Sequence, residues 1–167
     1  FYGAMNYVSP MFLRLESDEA TYNLHIILRY ELERAMVTGD LRVADLPEAW
    51  NAKVKDYLGL TVTDDALGCL QDTHWSGGMI GYFPTYTLGN LYSAMWFDTA
   101  VTEMPDLAED FTRGDFSRML GWLRENIHRH AKRYRATELC EKVTGRPLSH
   151  DPMITYLTEK YREIYGF

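Results

Sequence analysis

From Pro84 to Phe97 the chain carries no charged residue. Tyr86, Leu88, Leu91, Tyr92, Met95, Trp96 and Phe97 in that run surround a helix, and a helix apolar all round is a buried one. Pro84 suits the first turn, where no N–H is required, and the pattern continues to about Glu103. A segment of this kind has to be wrapped by other elements, so it should be the most buried helix of the protein. Gly89 would let another helix come close.

The remaining elements read as further helices. Ser17 is a good N-cap, and Asp18 and Glu19 suit the start of a helix dipole. A helix is expected from about Asp18 to Thr38, closed by Gly39. Leu24, Ile27, Leu28, Leu32 and Ala35 form one stripe on it and Tyr22, Ile26 and Tyr30 a second, leaving His25, Arg29 and Glu33 on the polar remainder. Pro47 opens a helix that ends at Gly59. Thr63-Asp64-Asp65 reads as a cap for a brief turn, and Pro105-Asp106 restarts a short helix. Asp115 can cap a helix from about Phe116 to Arg133, with Phe116, Met119, Leu120, Leu123 and Ile127 on its core face. Thr137 to Val143 and the segment after Pro152 complete the set. Alternation from Phe12 to Glu16 hints at a short strand or an extended entry. The expectation is an all-α fold of one domain around a buried central helix, with room for one short strand pair.

Composition narrows the function classes. A chain of 167 residues, 46% hydrophobic and 14% aromatic, can build a core and is not disordered. Its net charge of −7 argues against nucleic acid as a partner. The basic cluster Arg124, Arg129, Lys132, Arg133 and Arg135 reads as a solvated helix face. No apolar run is long enough to span a membrane, and no signal-peptide pattern opens the chain. Cys69 and Cys140 are too few for a disulfide framework, which suits a reducing compartment such as the cytoplasm. The chain begins at Phe1 without a Met, as a fragment of something longer would.

The stretch Gly68 to Asn90 is where chemistry concentrates. It places Gln71, Asp72, His74 and Trp75 within five positions, then Gly77, Gly78 and Gly81, then Tyr82 and Tyr86. A plain turn would use Gly, Asn, Asp or Pro without adding His-Trp and paired tyrosines. One reading is a satisfied buried network of hydrogen bonds. The other is an active-site wall: His and Tyr can donate to an oxyanion, and Arg14 can grip a carboxylate bidentately. Other candidates are weak. There is no His-Glu-x-x-His and no Cys-x-x-Cys. His128 and His130 are spaced for different helix faces. His25 suits a surface or helix-packing role, and Cys69 has no further support as a nucleophile.

Gly68-Cys69-Leu70-Gln71-Asp72-Thr73-His74-Trp75 resembles the Gly-x-x-Gln-Asp-x-His-Trp motif of the carboxypeptidase Taq family of zinc carboxypeptidases. Leu13-Arg14-Leu15-Glu16-Ser17-Asp18 is similar to that family's Ile-Arg-x-x-Ala-Asp motif, with Leu for Ile and Ser for Ala. Gly77 stands where many members carry a second His. The resemblance covers essentially the whole chain. It implies a mostly helical, two-lobed body with a deep groove, and a homodimer. It also implies that the zinc ligands, a His-Glu-x-x-His helix and a following His-Glu-Ser-Gln segment, lie upstream. The chain would then be the C-terminal third of the enzyme, completed by its N-terminal part.

By the same resemblance, the substrate is a peptide with a free C-terminus, shortened by single residues. Arg14 would hold its terminal carboxylate, and His74 with Tyr82 or Tyr86 would donate to the oxyanion. Gln71 and Asp72 belong to the substrate-binding set chiefly by holding His74 and the loop; Asp18 and Trp75 support them. The rival reading is a stand-alone helical module whose aromatic groove binds a peptide or protein. Under the peptidase reading the isolated chain binds no catalytic zinc and hydrolyses nothing. Elemental analysis and an assay with a blocked dipeptide check this; stoichiometric tight zinc together with turnover would contradict it.

Overall fold

Helices in this chain start and stop largely where its prolines and glycines place them. The computed structural model describes residues 1–167 and contains helices and turns with no strand. The helices are α1 (Tyr2–Met5), α2 (Tyr22–Thr38), α3 (Leu46–Leu58), α4 (Pro84–Glu103), α5 (Leu107–Thr112), α6 (Ser117–Asn126), α7 (Ala136–Thr144) and α8 (Asp151–Tyr165). Short 3-10 turns lie at Arg14–Glu16, Val43–Asp45 and His128–His130. Gly39, Gly59 and Gly145 end α2, α3 and α7 in the left-handed conformation, which costs a residue without a Cβ nothing. No helix is long and apolar enough to cross a membrane.

The chain divides into two compact units, Phe1–Thr87 and Leu88–Phe167. In the first, α2 packs on α3. Leu28 and Leu32 of α2 meet Leu46, Trp50, Val54 and Leu58 of α3, with Trp75 from the long loop packed against the cluster. Each such side chain contributes about 1.5–3 kcal/mol by leaving water. In the second unit, Tyr92 and Met95 of α4 cluster with Cys140 of α7, the Cys140 Sγ 3.7 Å from the Met95 Sδ. Trp122 of α6 is buried, and its indole N–H donates to Glu103 at 2.6 Å.

Several expectations are corrected. α2 starts at Tyr22 rather than Asp18, and Ser17 does not cap it. The Ser17 hydroxyl donates back to the Arg14 carbonyl, while the Asp18 carboxylate takes the backbone N–H groups of Ser9 and Thr21 and the Thr21 hydroxyl. Phe12 to Glu16 forms no strand. With no second strand to pair its backbone, the segment closes as a 3-10 turn, Glu16 N–H to Leu13 O. α4 runs from Pro84 to Glu103 as expected but buries only Tyr92, Met95 and Ala100, against six residues in α2. Its Leu88, Phe97 and Val101 are exposed. Burial is set by the partners a helix finds, and these 167 residues cover one side of α4. Nothing lies within 4 Å of a Cβ placed at Gly89.

α6 ends at Asn126, not Arg133, and its buried residue is Trp122; Phe116 and Leu120 are exposed. The largest correction concerns α2. His25, Arg29 and Glu33, assigned to its polar remainder, are 1%, 0% and 4% exposed. Two core-facing assignments can be contrasted by urea unfolding. Leu28→Ala, fully buried, lowers stability by about 2–5 kcal/mol, whereas Leu120→Ala costs less than about 1 kcal/mol.

Candidate active site

His25, Arg29 and Glu33 repeat every four residues, so they stand in one row along α2. A buried guanidinium needs partners for its N–H groups, and a buried carboxylate needs donors. Both find them in the loop from Gln71 to Gly81. Arg29 donates from Nε to Asp72 Oδ2 at 2.6 Å, from Nη2 to Gln71 Oε1 at 3.3 Å and from Nη1 to the His25 carbonyl at 2.8 Å. Its guanidinium carbon lies 4.6 Å from the centre of the Trp50 ring and 5.7 Å from that of Phe83, within range of cation–π attraction.

The other Asp72 oxygen, Oδ1, accepts from Arg14 Nη2 at 2.9 Å. Arg14 is held further by the Tyr22 hydroxyl at 3.2 Å, and its guanidinium carbon lies 4.9 Å from the centre of the Tyr86 ring. One carboxylate thus bridges two arginines, leaving one positive charge at the junction. Burial pushes the Asp72 carboxyl up, but the pull of Arg29 and the bonds from both guanidiniums outweigh it. The group titrates below its ordinary value. Burial lowers Arg29, which as a guanidinium stays charged.

His74 stands on this base. Its Nδ1 faces Asp72 Oδ1 at 3.6 Å, and its Nε2 meets the Tyr86 hydroxyl at 3.0 Å. Which of the two donates in the Nε2–Tyr86 contact depends on the ring tautomer. The imidazole packs on Phe83, ring centres 4.4 Å apart, and beside Tyr82 at 5.7 Å. Tyr82 is 45% exposed. Its ring stands edge-on to Tyr86.

The loop is fixed by short backbone turns. Gly77 N–H reaches the Thr73 carbonyl at 2.9 Å, and Met79 N–H the His74 carbonyl at 2.8 Å. A Cβ at Gly77 would sit 3.1 Å from the Thr73 oxygen, so a side chain there would have to push the turn open. Glu33 closes the loop: Oε2 accepts the Trp75 indole N–H and Oε1 the Gly81 backbone N–H, each at 2.7 Å. Trp75 also meets Trp50 edge-on at 6.3 Å.

Arg14, Gln71, Asp72, His74, Tyr82 and Tyr86 therefore share one neighbourhood with Trp75 beneath it. Asp18 lies apart, ordering the entry to α2. The sequence reading missed Arg29 and Glu33. The signal was their four-residue spacing on a helix with apolar stripes on more than one side, which leaves little surface for a solvated row. No group of three or more His, Cys, Asp or Glu side chains is placed to hold a metal ion, and both His74 nitrogens face protein groups. These residues do not fit a metal.

Relatives share this arrangement of elements. A crystal structure of an M32 carboxypeptidase from Deinococcus radiodurans R1 superposes with a TM-score of 0.95 at 48% identity, over 98% of this chain and 33% of that one. The chain is 49% identical over 166 residues to thermostable carboxypeptidase 1 of Thermus thermophilus, and 43% identical over 165 to carboxypeptidase 1 of Bacillus subtilis. It spans about a third of the length of these relatives, 32% and 33%, while they match 99% of it. The fold is the one that the Deinococcus radiodurans M32 carboxypeptidase shows over about a third of its length. Residues 1–161 match the family described as Carboxypeptidase Taq (M32) metallopeptidase, and the chain belongs to that family.

His25 gives the unit a pH dependence. Burial, then the positive charges of Arg29 and Arg14, lower its pKa from 6.5 to about 4. Between those values the unfolded chain takes up a proton that the native state refuses, so stability falls as pH drops from 6.5 toward 4. The loss is about 3 kcal/mol. Unfolding midpoints measured across that range show the slope, and His25→Asn removes it. Asp72 adds a further loss at lower pH, as its depressed carboxyl finally protonates in the native state.

Proposed function

We propose that this chain is the C-terminal part of a metal-dependent carboxypeptidase that removes single C-terminal residues from peptides, and that it carries the substrate-orienting side of the groove. The observation that carries this reading is Arg14 and the Asp72–His74–Tyr86 row. Residues 14 and 72, from separate motifs, meet at one salt bridge beside the His74–Tyr86 hydrogen bond. The metal, zinc or another divalent ion, and the general base belong to the N-terminal part of the same enzyme. A homodimer in the cytoplasm completes the reading; both cysteines here are free, which suits a reducing compartment.

In the proposed reaction Arg14 orients the substrate through its terminal carboxylate. A guanidinium has five N–H donors, and Arg14 gives one to Asp72 and one to Tyr22. The positive charge left over at Asp72 favours an anion. His74, with Tyr82 or Tyr86, donates to the carbonyl oxygen as negative charge develops on it. Tyr86 is committed to His74, while the exposed Tyr82 hydroxyl makes no intramolecular hydrogen bond. Asp72 and Gln71 act by holding Arg14, Arg29 and His74 rather than by touching the peptide.

Kinetics of the full-length enzyme test these roles. His74→Ala lowers kcat by roughly 10²–10³ at an unchanged unfolding midpoint and with KM little altered; a lowered midpoint with normal kcat for the folded fraction would make the row structural. Arg14→Ala raises KM for peptides with a free C-terminus, the loss of a carboxylate partner being worth about 2–5 kcal/mol. Unchanged kcat/KM would return Arg14 to a purely structural pairing with Asp72. Tyr82→Phe and Tyr86→Phe, compared at saturating substrate, show which phenol is the donor.

A further inference from the structure

Glu33 sits four residues after Arg29, a spacing at which opposite charges on a helix ordinarily pair. They do not pair here. Arg29 turns to Gln71 and Asp72, and Glu33 turns to Trp75 and Gly81. His74 lies in sequence between these two holds. The donors that Glu33 takes stand six residues apart, one next to His74 and one next to Tyr82. Gly81 has φ +80°, the left-handed conformation that an L side chain rarely adopts. Between them lies the turn in which Met79 N–H closes on the His74 carbonyl.

The chemistry of position 33 is narrow. Two N–H groups converge on one side chain from opposite ends of a turn, so it must offer two acceptors and no donor. Only a carboxylate does that; an amide of equal length would present its own N–H₂ to one of them. Glu33 is 4% exposed and has no cation within 4.0 Å, an arrangement that is costly for a carboxylate serving only to fill a core.

We propose that Glu33 is a positioning residue: by gripping Trp75 and Gly81 at once it sets the span of the turn, and so the register at which His74 meets Tyr86 and lies beside Tyr82. The inference rests on the reading of His74 as a donor to substrate. It differs from that reading in what it requires, since the clamp acts on the His74–Tyr86 bond whether or not substrate is present.

The experiment uses the full-length enzyme with Glu33→Gln, Trp75→Phe and the double variant. Hydrogen exchange at the Trp75 indole and Gly81 amide reads the clamp, the His74 ring ¹⁵N resonances read the His74–Tyr86 bond, and kcat and KM read its use. Expected for Glu33→Gln are at least tenfold faster exchange at one of the two donors and movement of the Nε2 resonance toward that of a free imidazole. A fall in kcat of tenfold or more is expected with KM within twofold. Trp75→Phe, which removes one donor and keeps the Gly81 bond, gives smaller changes in the same direction. The double variant falls short of the product of the two, as groups sharing one contact do.

An unmoved His74 resonance in folded Glu33→Gln overturns the inference, as does a kcat that is normal once corrected for the folded fraction. If Glu33→Gln does not fold, Trp75→Phe is judged by the same two criteria. Normal turnover in His74→Ala would bring down the functional reading instead, and the His74 resonance would still decide whether Glu33 sets the bond.

Discussion

The Asp72 carboxylate, shared between Arg14 and Arg29, ties together three pieces of chain that nothing else joins so directly. Arg14 comes from the 3-10 turn before α2, Arg29 from the middle of α2, and Asp72 from the loop beyond α3. Removing the carboxylate would leave two largely buried guanidiniums facing each other without a counter-charge. Removing either arginine would leave the carboxylate with one partner and the other arginine overmatched. A buried ion pair is weak evidence for stability in itself, because desolvation offsets much of the attraction. Its value here is geometric: the two carboxylate oxygens have different partners in different directions, so the loop has one orientation.

α2 therefore plays two parts. Its apolar residues Leu28 and Leu32 close the core against α3, while its row of His25, Arg29 and Glu33 grips the loop. The second part depends on the first. Trp50, seated in the core by α3, supplies the aromatic face over which Arg29 lies, and Trp75 packs on the same cluster while donating to Glu33. Core and site share side chains, so a packing change at Trp50 would be felt at Asp72.

Much of this was legible in the sequence. Gly39, Gly59 and Gly145 mark helix ends because a left-handed residue is needed there, and Pro84 marks the start of α4 to the residue. The His74–Trp75 motif stood out because a plain turn does not call for His-Trp followed by paired tyrosines. Burial was less legible. The uncharged surround of α4 says that it can be covered on all sides, not which side is covered, and Phe97 and Val101 are exposed in this chain. Arg29 and Glu33 look like surface charges until their partners are known, and those partners lie about forty residues further on: |i−j| is 43 for Arg29–Asp72 and 42 for Glu33–Trp75. Charge identity is local information, whereas charge pairing is not. The 3-10 turn at Arg14 escaped for a similar reason, since alternation alone cannot report the absence of a second strand.

The separation of Arg14 from Asp72 also has a consequence in time. They lie 58 residues apart, and a ribosome adding about 5–20 residues per second needs roughly 3–12 s to pass from one to the other. During that interval the α2–α3 pair, built on closer neighbours, can already form. Through that interval Arg14 and Arg29 lack their shared native partner, since Asp72 bridges both. Until the loop arrives, both guanidiniums stay charged without that counter-charge. The junction between α2 and its loop is therefore completed only after the helix pair on which it rests.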